Sequence, residues 1–446
     1  MSGLASAPVE RIAAQPAEAD ALYAKVTWRL LPLLCVCYVF NYMDRTNIGF
    51  AQLQMKDQLA FSDAVFGLGA GVFFVSYALS EVPSNMLLTK WGVRKTLLRI
   101  MGLWGLASAC MMFVSTPTQF YILRFLLGAF EAGFVPGVLY YLTLWYPSHR
   151  RAQVTALFFA AYVMAPMFSG PLAGVILAYL DGVQGLKGWQ WLFLVEGIPS
   201  VLLGLACYLY LDDRPAEAKW LTDAEKNRLI GTIEADLAGH DDGHHHTLVD
   251  ALRDWRVWFL GVVYFLCVLG SYALSFWQPT ILRGMGLSYL EIGFASAVPP
   301  IVSIVFMLLV GRSSDRTGER RWHFAGAACM GAVGLAATTL FTQNPVGAVL
   351  CLAIGHAGIA SCIPIFWTVP GTFLSKTAAA GGIALISTIG VTAGVVAPSM
   401  VAYTKALTGE FSYALYIMGA GLLLGGIFIL VGVSKQMLAG SQPAIA

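Results

Sequence analysis

The chain has 446 residues, of which 58% are hydrophobic and only 12% are charged. Soluble proteins are about half apolar and about a quarter charged, so this composition argues against a soluble enzyme and against a disordered scaffold. The formal net charge of +2 provides no basic field that would attract a nucleic acid. The composition therefore predicts an integral membrane protein that binds no nucleic acid.

Residues 1–27 are Ala-rich and polar, without the basic, apolar and small-residue order of a signal peptide, so we expect a cytoplasmic N-terminal tail. Apolar segments that can each form a membrane-spanning helix of about 20 residues follow this tail. There are twelve of them, at 28–50, 64–88, 97–115, 118–144, 152–179, 190–211, 257–279, 288–310, 323–342, 346–373, 378–403 and 411–433.

A long polar stretch, residues 212–256, divides these segments into two sets of six. We expect it to be a cytoplasmic linker between a first half at 28–211 and a second half at 257–433, with a C-terminal tail at 434–446. Thr222 followed by acidic residues is typical of a helix N-cap. The sequence therefore predicts an all-α integral membrane fold of twelve transmembrane helices.

The basic residues predict how these helices are oriented, because Lys and Arg concentrate in cytoplasmic loops. With both termini and the linker inside, 21 basic residues lie on the cytoplasmic side. Four lie outside, at Lys56, Lys187, Arg283 and Lys405. We therefore expect a multi-pass protein of the cell (inner or plasma) membrane with both termini in the cytoplasm.

A short motif occurs twice, after the second and after the eighth apolar segment, which indicates duplicated halves. Each copy has a glycine and then basic residues, and this pattern suits a tight turn at a cytoplasmic helix end that gates the two halves. Thr89 stands in the first copy where the second has an aspartate. We expect the gate residues to be Gly92, Arg94, Lys95, Asp315, Arg316, Gly318 and Arg320.

The repeated motif resembles the signature of the major facilitator superfamily. Longer stretches resemble its anion:cation symporter branch, which includes permeases for sugar acids, tartrate and phthalate-like carboxylates. These stretches are residues 41–47, 81–85, 124–137, 189–197, 214–221 and 275–279. The resemblance implies two pseudo-symmetric six-helix halves, a substrate site between them at mid-membrane depth, and a functional monomer.

Four ionisable residues lie within apolar segments, where a charge costs about 2.5 to 3.5 kcal/mol to insert and is usually functional. Arg45 shares a helix face with Asn41 and Tyr42, and its planar guanidinium suits a carboxylate. Asp44 faces another direction. Arg124 and Glu131 lie seven residues apart on one stripe.

We expect Arg45 to bind the carboxylate of a substrate and Asp44 or Glu131 to carry a proton, with Arg124 holding Glu131 ionised until protonation releases it. The alternative is a structural ion-pair network between the first and fourth helices.

The resemblance further implies that a set of mostly aromatic residues faces the substrate. Besides Arg45, the expected binding residues are Asn41, Tyr42, Tyr77, Tyr162, Tyr272, Trp367 and Ser387, and Tyr38 faces the same cavity. Relatives in this branch often have asparagines where Ser387 and Val391 stand. This less polar wall favours an aromatic or weakly hydroxylated carboxylate over a sugar acid.

Other polar residues are assigned plainer roles. The eight cysteines lie in apolar segments without metal-site spacing, and the histidines of 244–246 are not expected to bind a metal. Glu81 and Glu196 are interpreted as interfacial or structural, and His356 as a packing residue.

The sequence predicts a proton-coupled symporter that imports an organic carboxylate by alternating access and has no cofactor besides protons. Its partners are the small anion, protons and the lipid bilayer. The alternative within transport is an uncoupled facilitator or an exporter. A membrane-embedded enzyme would need a nucleophile–base pair or metal cluster, and a ligand sensor would need a larger output module than the linker provides.

Overall fold

The computed structural model describes residues 16–238, 252–370 and 379–433, together with Leu374. Short 3₁₀ turns and loops join the α-helices in these ranges. The helices are α1 (Pro16–Thr46), α2 (Ile48–Leu59), α3 (Asp63–Trp91), α4 (Val93–Cys110), α5 (Pro117–Glu131), α6 (Phe134–Trp145), α7 (Ser148–Tyr179), α8 (Gly188–Tyr210), α9 (Asp223–Ala238), α10 (Trp255–Gly284), α11 (Tyr289–Thr317), α12 (Arg321–Thr338), α13 (Pro345–Trp367), α14 (Ala379–Thr408) and α15 (Ser412–Gly432).

Twelve stretches of the described chain are long and apolar enough to cross a membrane, which confirms the predicted number. Helices α1 and α2 together form the first span, α5 and α6 form the fourth, and α9 lies in the linker. Helix α1 begins at Pro16, within the segment predicted as the N-terminal tail.

The linker helix α9 begins as its sequence predicts. The Thr222 hydroxyl accepts a hydrogen bond from the Glu225 backbone N–H at 3.3 Å, and the Glu225 carboxylate accepts one from the Thr222 N–H at 2.8 Å. This reciprocal capping box satisfies two backbone donors that a helix start otherwise leaves unpaired.

The two halves use the same helix pairs. In the first half α1 packs on α7, α3 on α5, and α4 on α8. In the second half the corresponding pairs are α10 with α14, α11 with α13, and α12 with α15. Contacts between the halves are also reciprocal, with α7 against α11 and α3 against α14.

These contacts between halves lie on one side of the molecule, which we call the far side because the linker lies on the other, the linker side. The backbone of Gly170 in α7 packs so closely on Gly293 in α11 that an added Cβ at Gly170 would lie 2.7 Å from the Gly293 carbonyl oxygen. The side-chain amide of Gln52 donates to the Phe276 carbonyl at 2.9 Å. The halves are therefore closed on the far side.

A three-residue ion cluster adds to the far-side closure. The Asp63 carboxylate at the start of α3 lies 2.8 Å from the Lys56 ammonium and 3.0 Å from the Lys405 ammonium. Lys405 belongs to α14 in the other half, so this cluster joins the two halves.

On the linker side, Arg94 contacts its own half and the start of the linker, and Arg320 contacts its own half. The Arg94 guanidinium donates to the Tyr208 carbonyl at 2.6 Å, and the Arg94 backbone N–H donates to the Asp213 carboxylate at 2.9 Å. The Arg320 guanidinium lies 2.6 Å from the Asp315 carboxylate.

The predicted tight turns are present at both copies of the motif. Gly92 has φ +82° and Gly318 has φ +65°, a backbone region that favours glycine. Lys95 and Arg316 are exposed.

Candidate functional site

The fourth span is interrupted at mid-length, and this interruption positions an acidic residue. Helix α5 ends at Glu131, and Gly133 has φ +92° before α6 begins. A side chain there would be strained and would also meet Ser84, with an added Cβ 2.5 Å from its hydroxyl oxygen. Breaks of this kind in membrane helices occur where the backbone lines a cavity or a binding site.

Glu131 pairs with Arg45, which lies in the last turn of α1. The Arg45 Nε–H donates to Glu131 Oε1 at 3.0 Å, and its Nη2 group also donates to that oxygen. Glu131 is fully buried, whereas the Arg45 side chain is 18% exposed. The rings of Phe73 and Tyr77 lie 5.5 and 5.2 Å from the guanidinium carbon. The cation therefore has one anionic partner behind it and one open side.

That open side faces a cavity of about 750 Å³ between the two halves. Ten Phe, Tyr and Trp side chains from both halves line it, together with six Ser and Thr side chains and the Gln278 amide. The lining residues that bear on function are Tyr38, Tyr42, Arg45, Phe74, Tyr162, Tyr264, Ser271, Tyr272, Ser275, Gln278, His356 and Trp367. The volume suits a small organic molecule.

Five of the eight predicted substrate-binding residues line this cavity, namely Tyr42, Arg45, Tyr162, Tyr272 and Trp367. Asn41 and Tyr77 do not. Asn41 is 2% exposed and lies beside Glu131, and the Tyr77 ring packs on Arg45. These two residues hold the ion pair.

Ser387 does not line the described cavity, and neither does any other described residue of its helix α14. The ring of Tyr264 packs against Gly390, and the ring of Phe74 packs against Gly394. Both rings line the cavity. At these two positions the rings therefore lie between α14 and the cavity.

Asp44 points away from Arg45, as its helix position predicts. Its carboxylate accepts hydrogen bonds from the Trp104 indole N–H at 2.9 Å, the Ser108 hydroxyl at 2.5 Å and the Ser200 hydroxyl at 2.6 Å. The residue is 1% exposed and does not line the cavity. This arrangement joins α1 to α4 and α8 within the first half.

Glu196 in α8 is buried in the same interior. Its side chain is 0% exposed, and a structural role fits this position.

Arg124 does not pair with Glu131. Seven helical residues rise about 10 Å, so the two side chains reach different neighbours. The Arg124 Nε–H donates to the Gly69 carbonyl at 3.2 Å, and the guanidinium carbon lies 4.9 Å from the centre of the Phe73 ring. The cation that holds Glu131 is Arg45.

The sequence interpretation missed a polar pair in the second half. His356 in α13 and Gln278 in α10 both line the cavity, and the imidazole Nε2 lies 3.0 Å from the Gln278 side-chain oxygen. A lone histidine between apolar residues gives no sign that a glutamine faces it from another helix. The signal available in the sequence was Gln278, a polar residue between Trp277 and Pro279 in the seventh apolar segment.

The described residues contain no group of three or more His, Cys, Asp and Glu side chains placed to hold a metal ion. The histidines of 244–246 lie outside the described residues.

Residues 34–398 match the family model of the Major Facilitator Superfamily. The chain is 46% identical to the "Putative metabolite transport protein NicT" of Pseudomonas putida, over 94% of this chain and 95% of that one. It is also 46% identical to a "Putative tartrate transporter" of Agrobacterium vitis, over 94% of this chain and 91% of that one.

A solved structure has the same fold. It is the inward open conformation of the xylose transporter XylE from Escherichia coli, with a TM-score of 0.70 and 16% identity over 93% of this chain and 99% of that one.

Proposed function

The chain belongs to the major facilitator superfamily, and we propose that it is a secondary active transporter that imports an organic carboxylate together with protons. Its family and its relatives make it a membrane transport protein and not an enzyme. The name of one relative, a tartrate transporter, supports a carboxylate as the substrate class.

The Arg45–Glu131 ion pair is the observation that carries this proposal. A guanidinium on a cavity wall is the side chain that best matches a carboxylate. Here the Glu131 carboxylate already binds the Arg45 guanidinium on the side away from the cavity. A substrate carboxylate would therefore compete with Glu131 for the same cation. Two anions on one buried cation are unfavourable.

A proton resolves this competition. When a proton binds a Glu131 carboxylate oxygen, the ion pair becomes a hydrogen bond to a neutral acid, and Arg45 is free to bind the substrate anion. When the substrate leaves, Arg45 again attracts the Glu131 carboxylate, and the proton is released. Proton and substrate are therefore carried together because each favours the state that binds the other.

Within this scheme Glu131 is the proton carrier, and Asp44 is a positioning residue. Asp44 lies outside the cavity and its oxygens accept three hydrogen bonds from α4 and α8. Arg124 stabilises the interior of the first half, next to Phe73, and does not act on Glu131 by direct contact.

The two reciprocal contacts between the halves support transport by alternating access. We propose that the linker side is cytoplasmic, so that the far-side closure corresponds to a cavity open toward the cytoplasm. Opening the far side requires the backbones of Gly170 and Gly293 to separate and the Asp63–Lys405 ion pair to break. The working unit is a monomer in the cell membrane, because one chain contains the whole cavity.

Uptake of radiolabelled benzoate and tartrate into right-side-out vesicles tests this function, with and without a protonophore. We expect the preferred carboxylate to accumulate only while a proton gradient is present, and Arg45→Ala to abolish the uptake. Undiminished accumulation without the gradient would exclude symport. Equilibration without accumulation would indicate the uncoupled facilitator, and proton-driven loss from loaded right-side-out vesicles would indicate the exporter.

A further inference from the structure

The charge of the cavity wall limits the substrate more narrowly than the proposed function does. Among the described lining residues, Arg45 is the only Arg or Lys, and none is Asp or Glu. Glu131 lies behind Arg45 and is fully buried. A substrate in the cavity therefore meets one permanent cation.

This single cation can balance one carboxylate. With Glu131 protonated, Arg45 and one substrate carboxylate form a neutral pair. A second carboxylate on the same molecule would find no second Arg or Lys among the described lining residues, and an unpaired charge away from bulk water is costly. The wall therefore disfavours dianions.

The opposite half offers a neutral polar group. His356 and Gln278 come from α13 and α10, and Gln278 is 6% exposed. With the imidazole Nε2–H donating to the Gln278 oxygen at 3.0 Å, the other ring nitrogen is an acceptor and the Gln278 amide keeps its two N–H donors. Such a pair can bind a hydroxyl, an amide or a ring nitrogen, and it adds no full charge.

Aromatic side chains lie between these two polar regions. Tyr42 and Tyr162 line the first half of the cavity, and Tyr264, Tyr272 and Trp367 line the second. These residues provide aromatic surface on both halves, which suits a flat aromatic body of a ligand.

We propose that the substrate is a flat monocarboxylate with an uncharged hydrogen-bonding group at its far end, and that His356 and Gln278 form the subsite that selects this group. This inference rests on the proposed function, because it takes Arg45 as the carboxylate anchor. It also separates this chain from its relative named as a tartrate transporter, since tartrate has two carboxylates.

Equilibrium binding to the purified full-length protein at pH 6 tests the proposal with three probes of one shape. They are 4-hydroxybenzoate, benzoate and terephthalate, which have a hydroxyl, a hydrogen or a second carboxylate opposite the first carboxylate. We expect 4-hydroxybenzoate to bind about fivefold to tenfold tighter than benzoate, as one hydrogen bond provides. Terephthalate should bind at least about tenfold weaker than benzoate.

Variants assign the preference to the subsite. His356→Ala and Gln278→Met should each bring the affinity ratio of 4-hydroxybenzoate to benzoate close to one. His323→Ala is the matched control, because this histidine also hydrogen-bonds a side chain, Ser313, but lies outside the cavity. It should keep the wild-type ratio. His356→Arg adds a second cation and should improve terephthalate binding relative to benzoate.

The proposal is overturned if terephthalate binds wild-type protein as tightly as benzoate, if the ratio survives both subsite variants, or if tartrate binds and none of the three probes does. Failure of the proposed function looks different. There, Arg45→Ala would keep wild-type affinity for every carboxylate that binds, whatever the ratio among the probes.

Discussion

Replacing Glu131 by glutamine imitates the protonated state of the carrier. Glutamine has nearly the shape of glutamic acid and can still accept a hydrogen bond from Arg45, but it cannot bind or release a proton. The Glu131→Gln variant should therefore be fixed in the state that accepts the substrate anion. It should lose the dependence of binding on pH.

The size of the effect follows from the ion-pair geometry. At the 3.0 Å that separates Arg45 Nε from Glu131 Oε1, two unit charges attract with about 5 kcal/mol at an effective dielectric constant of about 20. Water in the open cavity screens part of this attraction, and the glutamine keeps a hydrogen bond of about 1 kcal/mol. We expect the variant to bind the anion about tenfold to a hundredfold tighter at pH 7.5, or about 1.4 to 2.8 kcal/mol.

Two assays in proteoliposomes measure this prediction. Counterflow, which exchanges labelled for unlabelled substrate, should continue in the variant because it needs no net proton movement. Accumulation driven by a pH gradient should be lost. Glu291→Gln is the matched control, since Glu291 caps α11 at an exposed position, and it should accumulate substrate normally.

The reasoning is wrong if Glu131→Gln binds the anion no tighter than wild type at pH 7.5, or if it still concentrates substrate when only a pH gradient is applied. Either result would move the coupling site away from the Arg45–Glu131 pair.

The remaining predictions concern the scaffold around the site. Asp44→Ala leaves three buried donors without their acceptor, so we expect the free energy of unfolding to fall by about 3 kcal/mol or more, measured as a lower thermal midpoint. Asp63→Asn removes the far-side ion cluster and should raise the population that is open on the far side up to about tenfold. Spin labels placed on the two halves at the far side would then show longer distances. Gly170→Val should hold the two halves apart on the far side, since its Cβ would lie 2.7 Å from the Gly293 carbonyl oxygen. Spin-label distances equal to those of the wild type would contradict this. Hydrogen bonds from Lys25 lower the pKa of Glu225. The Lys25–Glu225 pair therefore stabilises the fold at pH values above the ordinary glutamate pKa of about 4.3. This stabilisation is lost as the pH falls through the lowered pKa of Glu225. Glu225→Gln should therefore cost no more than about 1 kcal/mol at pH 7 and nothing below that range, as chemical unfolding at several pH values would show.

Hydropathy and helical periodicity predicted the features that depend on local sequence. The twelve spans follow from apolar length, the start of α9 follows from Thr222 and Glu225, and the different directions of Asp44 and Arg45 follow from a turn of about 100° per residue. Each of these properties is determined within one helix. They were therefore accessible without knowing how helices pack.

The pairing of charges was not accessible in this way. One stripe of the fourth span contains both Arg124 and Glu131, but the rise between them and the break at Gly133 send the two side chains to different neighbours. The partner of Glu131 comes from α1. The rotation of α1 about its own axis, relative to α5, determines that Arg45 is the residue of α1 that faces Glu131. Helix rotation depends on packing along the whole length, which no short motif specifies.

The same limit applies to the cavity wall. The resemblance places Ser387 on a cavity-facing segment, yet Ser387 does not line the described cavity, and the rings of Tyr264 and Phe74 pack against Gly390 and Gly394 of that helix. His356 and Gln278 are 78 residues apart and meet only because α13 and α10 both border the cavity.

Proton uptake on substrate binding tests the central claim most directly. Purified protein in weakly buffered solution at pH 7.5 is mixed with a saturating carboxylate that it transports, and the pH change is recorded. We predict uptake of close to one proton for each carboxylate bound by wild-type protein, and none by Glu131→Gln. Binding by the wild type without proton uptake, or equal uptake by the variant, would contradict the account.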